Sequence, residues 1–310
     1  MSRIDVVHDC DPGNDDAVAI LAAIGHPGIA LRAVTTTYGH LAGDRTARNA
    51  AIAVAAAGAD VPVHAGASAP LVRERLIARL LDFDSGLDAP RPQLAAVPLA
   101  VGDSVSALRA AVEAHPGLTI VATGPLTNLA RLLTDHPETA AGIGRIVTLG
   151  AAWGLGTKTP SAEWNVVSDP DAAAIVYAAP VPVTIVPVDA SATVPIDADL
   201  VAAVAGRPGP GAALAAELLA SLEGLHTPPV VGPPGCPLHD PCAILVAADA
   251  SLATVAPAQV EVDLRPGLTY GRTVFNFRPD AHNPANVDVV VTLDPARTRA
   301  ALVDALAGLS

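Results

Sequence analysis

The chain has 310 residues, 51% of them hydrophobic and 3% aromatic, and its formal net charge is −13 because 31 acidic residues face 18 basic ones. That length and apolar content are enough to bury a large core. The acidic balance argues against a nucleic-acid surface or an anionic membrane as a partner, because both attract basic patches.

Short β-branched segments alternate along the chain with longer segments rich in Ala and Leu. In chain order, this pattern predicts a strand at Ile4–His8, a helix at Asp15–Ile24, a strand at Leu31–Thr36, helices at Asp44–Ala57 and Val101–Ala114, a strand at Leu118–Ala122, a helix at Leu126–Asp135, a strand at Arg145–Leu149, a helix at Asp169–Ala178, a strand at Val181–Pro187, helices at Gly211–Leu225 and His239–Ala248, and a strand at Ala258–Val262.

Alternation of this kind is typical of an α/β fold with an open, mostly parallel central sheet and helices on both faces, as in Rossmann-like proteins. No internal repeat or low-complexity linker divides the chain, so we expect one catalytic domain spanning residues 1–310. In such folds, ligands bind outside the carboxyl ends of the strands, where the strand order reverses.

Two long stretches, Ala69–Ala100 and Thr227–Leu238, contain no predicted element. Loops longer than about a dozen residues in a compact domain often act as lids or binding elements. The pattern leaves two alternatives open for both stretches, a functional loop and a plain surface connection.

The strongest functional signal follows the first predicted strand. Four carboxylates, those of Asp9, Asp11, Asp15 and Asp16, lie within eight positions where this strand ends and the first helix begins. A helix N-terminus favours a negative charge, but one aspartate is enough to cap it. Carboxylates this close repel each other and stay ionised together mainly when they share a cation. Their hard oxygen atoms indicate Ca²⁺ or Mg²⁺ rather than zinc.

Two other carboxylate motifs compare with this loop. An EF-hand counted from Asp9 needs glycine at its sixth position and glutamate at its twelfth, where the chain has Asn14 and Ile20. Mg²⁺-dependent phosphatases of the haloacid-dehalogenase type also place Asp-x-Asp after a first strand, but they need a downstream lysine ahead of an acidic pair. The single lysine, Lys158, precedes no such pair, so this phosphatase is a less favoured alternative.

Further motifs follow the Asp-x-Asp-Pro-Gly-x-Asp-Asp signature of Asp9 to Asp16. They are Ala122-Thr123-Gly124-Pro125-Leu126-Thr127-Asn128-Leu129, then Thr159–Asn165 followed by Asp169–Ala173, and His239-Asp240-Pro241. In this order, the four motifs resemble those of the inosine-uridine-preferring nucleoside hydrolase family. The resemblance covers most of the chain. It implies a nucleoside hydrolase-like fold and hydrolysis of the N-glycosidic bond of ribonucleosides, with release of free base and ribose.

The resemblance also implies a metal cofactor, Ca²⁺, held by Asp11, Asp16, Asp240 and the main-chain carbonyl of Thr123. Asp11 would act as the base that takes a proton from a calcium-bound water, and His239 would face the departing base. Cleavage of an N-glycosidic bond passes through an oxocarbenium-like transition state. A pocket rich in carboxylates stabilises the positive charge that develops there.

Five residues form the substrate-binding set that the resemblance implies. Asp15 and Asn165 would bind the ribose hydroxyls, and Glu163 the 5′-hydroxyl end. His40 and Thr157 stand where many family members carry asparagine, so we expect them to alter contacts with the sugar. Asp82-Phe83 likewise replaces a common His-Gly pair ahead of Ser85-Gly86-Leu87.

These departures leave the metal set whole and change the substrate shell, so base preference is not predicted. His226 or the Thr227–Leu238 loop could protonate the leaving base instead of His239. A calcium-dependent ribose- or nucleoside-binding protein without turnover is therefore a further alternative. The resemblance also implies a homodimer or homotetramer.

Three cysteines, Cys10, Cys236 and Cys242, form no CxxC pair and no zinc-type spacing. A small, odd number of cysteines fits a reducing compartment better than a disulfide framework. No signal-peptide pattern follows Met1, and no apolar stretch is long enough to span a bilayer. We therefore expect a cytoplasmic protein.

Overall fold

The computed structural model describes residues 3–76, 87, 96–223 and 236–309. Several residues singled out above lie outside these ranges: Asp82, Phe83, Ser85, Gly86, His226 and residues 227–235. The strands are β1 (Ile4–Cys10), β2 (Ile29–Thr36), β3 (Val63–His64), β4 (Leu118–Ala122), β5 (Ile143–Leu149), β6 (Val183–Val186), β7 (Pro195–Ile196), β8 (Cys236–Pro237), β9 (Ala253–Val262), β10 (Thr273–Asn276) and β11 (Val287–Leu293).

The helices lie mostly between parallel strands, as in other α/β folds. They are α1 (Asn14–Gly25), α2 (Gly43–Ala56), α3 (Ser104–Ala114), α4 (Thr127–Asp135), α5 (Trp164–Ser168), α6 (Pro170–Tyr177), α7 (Val188–Ser191), α8 (Ala198–Ala205), α9 (Pro210–Glu223), α10 (Asp240–Ala248) and α11 (Pro295–Ala307), with 3₁₀ turns at Pro137–Gly142 and Ala250–Leu252. Among the described helices, none is long and apolar enough to cross a membrane.

The central sheet, as far as the chain is described, has nine strands in the order β10-β9-β11-β6-β5-β4-β1-β2-β3. The strands from β11 to β3 pair in parallel. The pairings of β9 with β11 and of β10 with β9 are antiparallel, and β9 and β10 form one edge of the sheet. The predicted fold, an open and mostly parallel sheet, is therefore confirmed.

Helices cover both faces of this sheet. Successive residues of each strand point to opposite faces, so each strand contributes to two cores. Val6 and Cys10 of β1 pack into one core with residues of α1, α9, α10 and α11. Val7, between them, packs into the other core with residues of α3, α4 and α6. The high alanine content suits this packing, since small side chains let helices approach the sheet closely.

The strand order reverses between β1 and β4. From β1 the chain moves outward to β2 and β3, then returns to β4 on the other side of β1 and continues to β5 and β6. Val6 to Asp9 pair in parallel with Thr119 to Ala122, so the residues that follow both strands meet at the same edge. Ligands bind at this switch point in open α/β folds.

Candidate active site

A cluster of aspartates lies at the switch point. Three carboxylates, those of Asp15, Asp16 and Asp240, bring oxygen atoms within 4.8 Å of one another. Asp15 and Asp16 belong to the first turn of α1, and Asp240 is the first residue of α10. The two helices pack on the same face of the sheet, so their N-termini converge.

The neighbouring Asp11 follows β1 directly and is buried, but its carboxylate is not part of that three-residue group in the described chain. The Asp11 carboxylate instead accepts a hydrogen bond from the main-chain N–H of His40. Two glycines pack against it: a Cβ added to Gly39 would lie 1.5 Å from Asp11 Oδ2, and one added to Gly124 would lie 2.7 Å from Oδ1. Both positions therefore need glycine for Asp11 to keep its place.

Burial dominates the electrostatics of the cluster. It raises the pKa of Asp11 and of Asp240 well above the ordinary value, and the other carboxylates raise it further. Burial and then Asp15 raise the pKa of Asp16 to about 7. The side chains of Asp15 and Asp240 are close enough to share a hydrogen bond. A divalent cation would relieve this repulsion, and an all-oxygen donor set suits a hard cation.

Thr123 joins the cluster from the end of β4. Its main-chain carbonyl accepts a hydrogen bond of 2.7 Å from Asn165 Nδ2, and its hydroxyl donates to Asp16 Oδ1 at 2.6 Å. The carbonyl oxygen has a second lone pair, so the bond from Asn165 leaves it able to bind a cation as well.

Glu163 and Asn165 come from the loop and helix after β5, and both are buried rather than solvated. The Glu163 carboxylate accepts hydrogen bonds from the main-chain N–H groups of Ala151, Asn165 and Val166, at 3.0 to 3.2 Å. Burial raises its pKa to about 7, against the effect of these bonds. Ala151 itself has a φ of 68°, a strained conformation that this bond to Glu163 helps to hold.

The imidazole of His40 stacks on the indole of Trp164, with ring centroids 3.7 Å apart and planes 11° from parallel. Lys158 Nζ lies 4.8 Å from the centre of the same indole. Thr157 Oγ1 accepts a hydrogen bond of 3.0 Å from the main-chain N–H of Trp164. His40 and Thr157, the two departures from the family pattern that lie within the described residues, thus both contact Trp164.

His239 immediately precedes α10, and its Nδ1 lies 2.7 Å from Ser191 Oγ on α7. Burial lowers the pKa of His239, against the influence of Asp15, so the neutral imidazole is the major form at pH 7. The Ser191 contact limits rotation of the ring beside Asp240.

The model of the family described as inosine-uridine preferring nucleoside hydrolase matches residues 6–300 of the chain. The chain belongs to this family. A pyrimidine-specific ribonucleoside hydrolase, RihA, of Shewanella sp. (strain MR-7) is 37% identical over 309 residues, which are 99% of this chain and 97% of that protein. The protein is therefore a glycosyl hydrolase that acts on nucleosides, and not the phosphatase considered above.

Solved structures of nucleoside hydrolases have the same fold. The purine-preferring ribonucleoside hydrolase from Gardnerella vaginalis superposes with a TM-score of 0.88 at 28% identity, covering 98% of each chain. A plant nucleoside hydrolase, PpNRh1, superposes with a TM-score of 0.86 at 30% identity, covering 98% of this chain and 99% of that one.

The structure brings the predicted site residues of this nucleoside hydrolase together at one edge of the sheet. Asp9, the fourth carboxylate of the loop, is separate from them: it accepts hydrogen bonds from Thr35 Oγ1 and Asn128 Nδ2, at 2.6 and 2.8 Å. Sequence reasoning missed Ser191 and Trp164, whose contacts here join distant parts of the chain. It also missed His8, although a histidine inside an apolar strand was a visible signal.

The substitution Gly39→Ala should test the packing around Asp11. The new Cβ would overlap the Asp11 carboxylate, and a displacement of about 1 Å in a catalytic group can cost roughly 10²-fold in rate. We expect kcat/KM to fall by about that factor with little change in melting temperature. Gly206→Ala is the matched control, because its Cβ would meet only ordinary contacts at 3.6 Å. Equal activity of both variants would contradict the importance of this packing.

Proposed function

We propose that this nucleoside hydrolase is calcium-dependent and that Asp11, Asp16, Asp240 and the Thr123 carbonyl hold the ion. The observation that carries the proposal is the group of buried carboxylates with raised pKa values at the switch point. Bound Ca²⁺ would lower the pKa of a coordinated water and bind the two hydroxyls of ribose.

The protein side chains would then have separate roles in the reaction. Asp11, held by the His40 N–H and the two glycines, accepts the proton of the attacking water. Asp15 and Asn165 bind the ribose hydroxyls, and Glu163 binds the 5′ end. The negative charge of the Asp15 and Glu163 carboxylates also stabilises the ribosyl cation that develops as the N-glycosidic bond breaks. His40 and Thr157 shape the pocket through Trp164.

Pyrimidine ribonucleosides are the substrates we propose to be preferred, because the relative from Shewanella is named pyrimidine-specific. The test is release of free base from uridine, cytidine, inosine, adenosine and guanosine, each with Ca²⁺ and with a chelator. Calcium-dependent release, fastest from uridine or cytidine, is the expected result. Equal release with the chelator would count against calcium, and faster release from purine nucleosides would count against the proposed preference. Calcium and nucleoside binding without base release would favour the non-hydrolytic alternative.

The ribose diol gives a second, independent expectation. A 2′-deoxynucleoside offers only one of the two adjacent hydroxyls, so it would lose a ligand to the ion and a partner for Asp15 or Asn165. We expect 2′-deoxyuridine to be cleaved at least about 10²-fold more slowly than uridine, since buried polar groups left unpaired discriminate strongly. Similar rates for the two substrates would contradict this recognition of the sugar.

We propose that the protonated form of His239, the minor form at pH 7 because burial lowers its pKa, donates a proton to the leaving base, and leaving-group chemistry tests it. His239→Ala should slow base release from uridine by roughly 10²-fold or more, the range of general acid catalysis. The same variant should cleave p-nitrophenyl riboside within about threefold of the wild-type rate, because p-nitrophenolate leaves without protonation. His282→Ala, at an exposed position, is the control and should change neither rate. Equal losses on both substrates would assign His239 to another role.

The family resemblance also leads us to propose a homodimer or homotetramer, and the sequence pattern and cysteine content lead us to propose one catalytic domain over the whole chain and a cytoplasmic location. Light scattering coupled to size-exclusion chromatography would measure the assembly. A monomer at micromolar concentration would contradict the proposed assembly.

A further inference from the structure

His8 is an unusual residue for its position. It lies in β1, is fully buried, and belongs to the strand that leads into the aspartate loop. Its Nδ1 has no hydrogen-bond partner among the described residues, although a buried polar atom without a partner costs about 1–3 kcal/mol. An apolar residue would fill the same space without that cost, so the imidazole needs an explanation.

The other ring nitrogen makes a short contact. Nε2 lies 2.8 Å from Thr123 Oγ1, and the same hydroxyl donates to Asp16 Oδ1 at 2.6 Å. A hydroxyl has one proton, and an ionised carboxylate only accepts. Because the Thr123 proton goes to Asp16, the contact with His8 must be a bond from Nε2–H to the hydroxyl oxygen. His8 is then the Nε2–H tautomer, which agrees with a bare Nδ1.

The chain of bonds from His8 through Thr123 to Asp16 therefore has one direction of donation. It orients the Thr123 hydroxyl toward Asp16 Oδ1 and fixes one oxygen of that carboxylate. The other oxygen, Oδ2, is 3.4 Å from the Gly13 N–H.

A direct metal role for His8 is a less favourable explanation. Atoms of His8, Cys10 and Asp16 lie within 4.8 Å of one another, a set that would suit a softer metal. Cys10 Sγ instead lies 3.6 Å from the main-chain carbonyl oxygen of Thr35, to which the thiol donates. His8 Nε2 is likewise in contact with Thr123 Oγ1 rather than free for a metal.

We propose that His8 is a positioning residue that, through the Thr123 hydroxyl, holds the Asp16 carboxylate in the orientation needed to bind the cation. The inference rests on the proposed function, in which Asp16 is a metal ligand. Hydrogen-bond partners of metal ligands typically contribute 10- to 100-fold to metal affinity. His8 itself touches neither the substrate nor the reacting atoms.

The test is calcium affinity measured by isothermal titration calorimetry on the full chain, without substrate. His8→Leu removes the donor, whereas His8→Gln keeps an N–H near the position of Nε2. We expect His8→Leu to weaken calcium binding by about 10-fold or more and His8→Gln to restore it to within about threefold of the wild type. Thr123→Val should weaken binding, and Thr123→Ser should not, because both keep the main-chain carbonyl and only serine keeps the hydroxyl.

A double-mutant cycle separates positioning from simple packing. If His8 acts only through the Thr123 hydroxyl, His8→Leu should add almost nothing to the loss caused by Thr123→Val. Additive losses would overturn the proposal, and so would unchanged affinity in His8→Leu. In the ¹⁵N NMR spectrum of the wild type, His8 should show the neutral Nε2–H tautomer, and an Nδ1–H signal would also overturn it.

Failure of the proposed cofactor and failure of this inference give different results. A wild-type protein that binds no calcium would overturn the proposed cofactor and this inference together, whereas a binding wild type with an unaffected His8→Leu overturns the inference alone. If His8→Leu fails to fold, as judged by circular dichroism, the Thr123→Ser and Thr123→Val pair and the His8→Gln variant decide the question.

Discussion

Asp11→Asn should reduce the release of base from the best ribonucleoside substrate by at least about 10³-fold, since it removes both a general base and a proposed metal ligand. Asparagine has almost the same shape as aspartate, so the packing of Gly39 and Gly124 against residue 11 can persist. The loss would therefore reflect chemistry rather than unfolding. The measurement is single-turnover base release at saturating calcium, beside a thermal melt.

The stability of Asp11→Asn should move in the opposite direction to its activity when calcium is absent. The Asp11 carboxylate is buried near other carboxylates. Burial and the charge of Asp16 both disfavour its ionised form. A neutral amide removes that repulsion, so we expect the melting temperature in chelator to equal or exceed that of the wild type. A variant that loses activity because its fold is damaged would melt lower.

Asp5→Asn is a matched control on the same strand. Asp5 lies at the other end of β1, where its partly exposed carboxylate pairs with Arg32 at 2.6 Å. Exposed ion pairs contribute about 0–1 kcal/mol, and the position is remote from the aspartate cluster. Its activity should stay within about twofold of the wild type. Activity within tenfold of wild type in Asp11→Asn would remove Asp11 from the proposed mechanism.

The parallel part of the sheet could be predicted because each strand carries its own local signal. β4 has the predicted bounds, Leu118–Ala122, and β1 and β5 extend the predicted strands by two residues each at one end. At the antiparallel edge, the predicted strand Ala258–Val262 covers the second half of β9 (Ala253–Val262), whereas β10 and the neighbouring β11 are absent from the predicted elements. β11 had a local signal in the valine-rich run Val287–Leu293, whereas the short β10 depends on pairing with β9.

The candidate site likewise has one part that local sequence patterns predict and another part that they do not. The aspartates of the first loop could be found because they are adjacent in sequence, and the first turn of α1 holds Asp15 and Asp16 as predicted. The bond between His8 and Thr123 joins residues 115 positions apart, and that between Ser191 and His239 joins residues 48 apart. Such contacts depend on strand register and helix packing, which local patterns do not contain.

Lowering the pH from 8 to 6.5 should stabilise the calcium-free protein, a trend opposite to that of most acid-sensitive proteins. The pKa values of Asp9, Asp16 and Glu163 are raised to about 7 by burial. The folded chain therefore binds protons in this range that the unfolded chain, with ordinary carboxyl pKa values, does not. The free energy of unfolding rises as these protons bind, and that stability is lost again as the pH rises through 7.

The histidines set the lower limit of the pH range in which this stabilisation can be measured. Burial lowers the pKa of His8 to about 3 and also lowers that of His239. Both bind protons less readily in the folded chain than in the unfolded chain, which protonates them below about pH 6.5. Their contribution destabilises the folded state on further acidification, so the carboxyl effect is measured cleanly only above that pH.

Differential scanning fluorimetry in chelator should show a melting temperature about 5 °C or more higher at pH 6.5 than at pH 8, from a few kcal/mol of carboxyl protonation. Calcium binds the ionised carboxylates and competes with protons, so its stabilising effect should be larger at pH 8 than at pH 6.5. Asp240→Asn should reduce both the pH dependence in chelator and the calcium shift, because one coupled carboxyl is gone. A melting temperature in chelator that falls on acidification from pH 8 would mean that these aspartates are already ionised without a cation, and the electrostatic case for a metal site would fail.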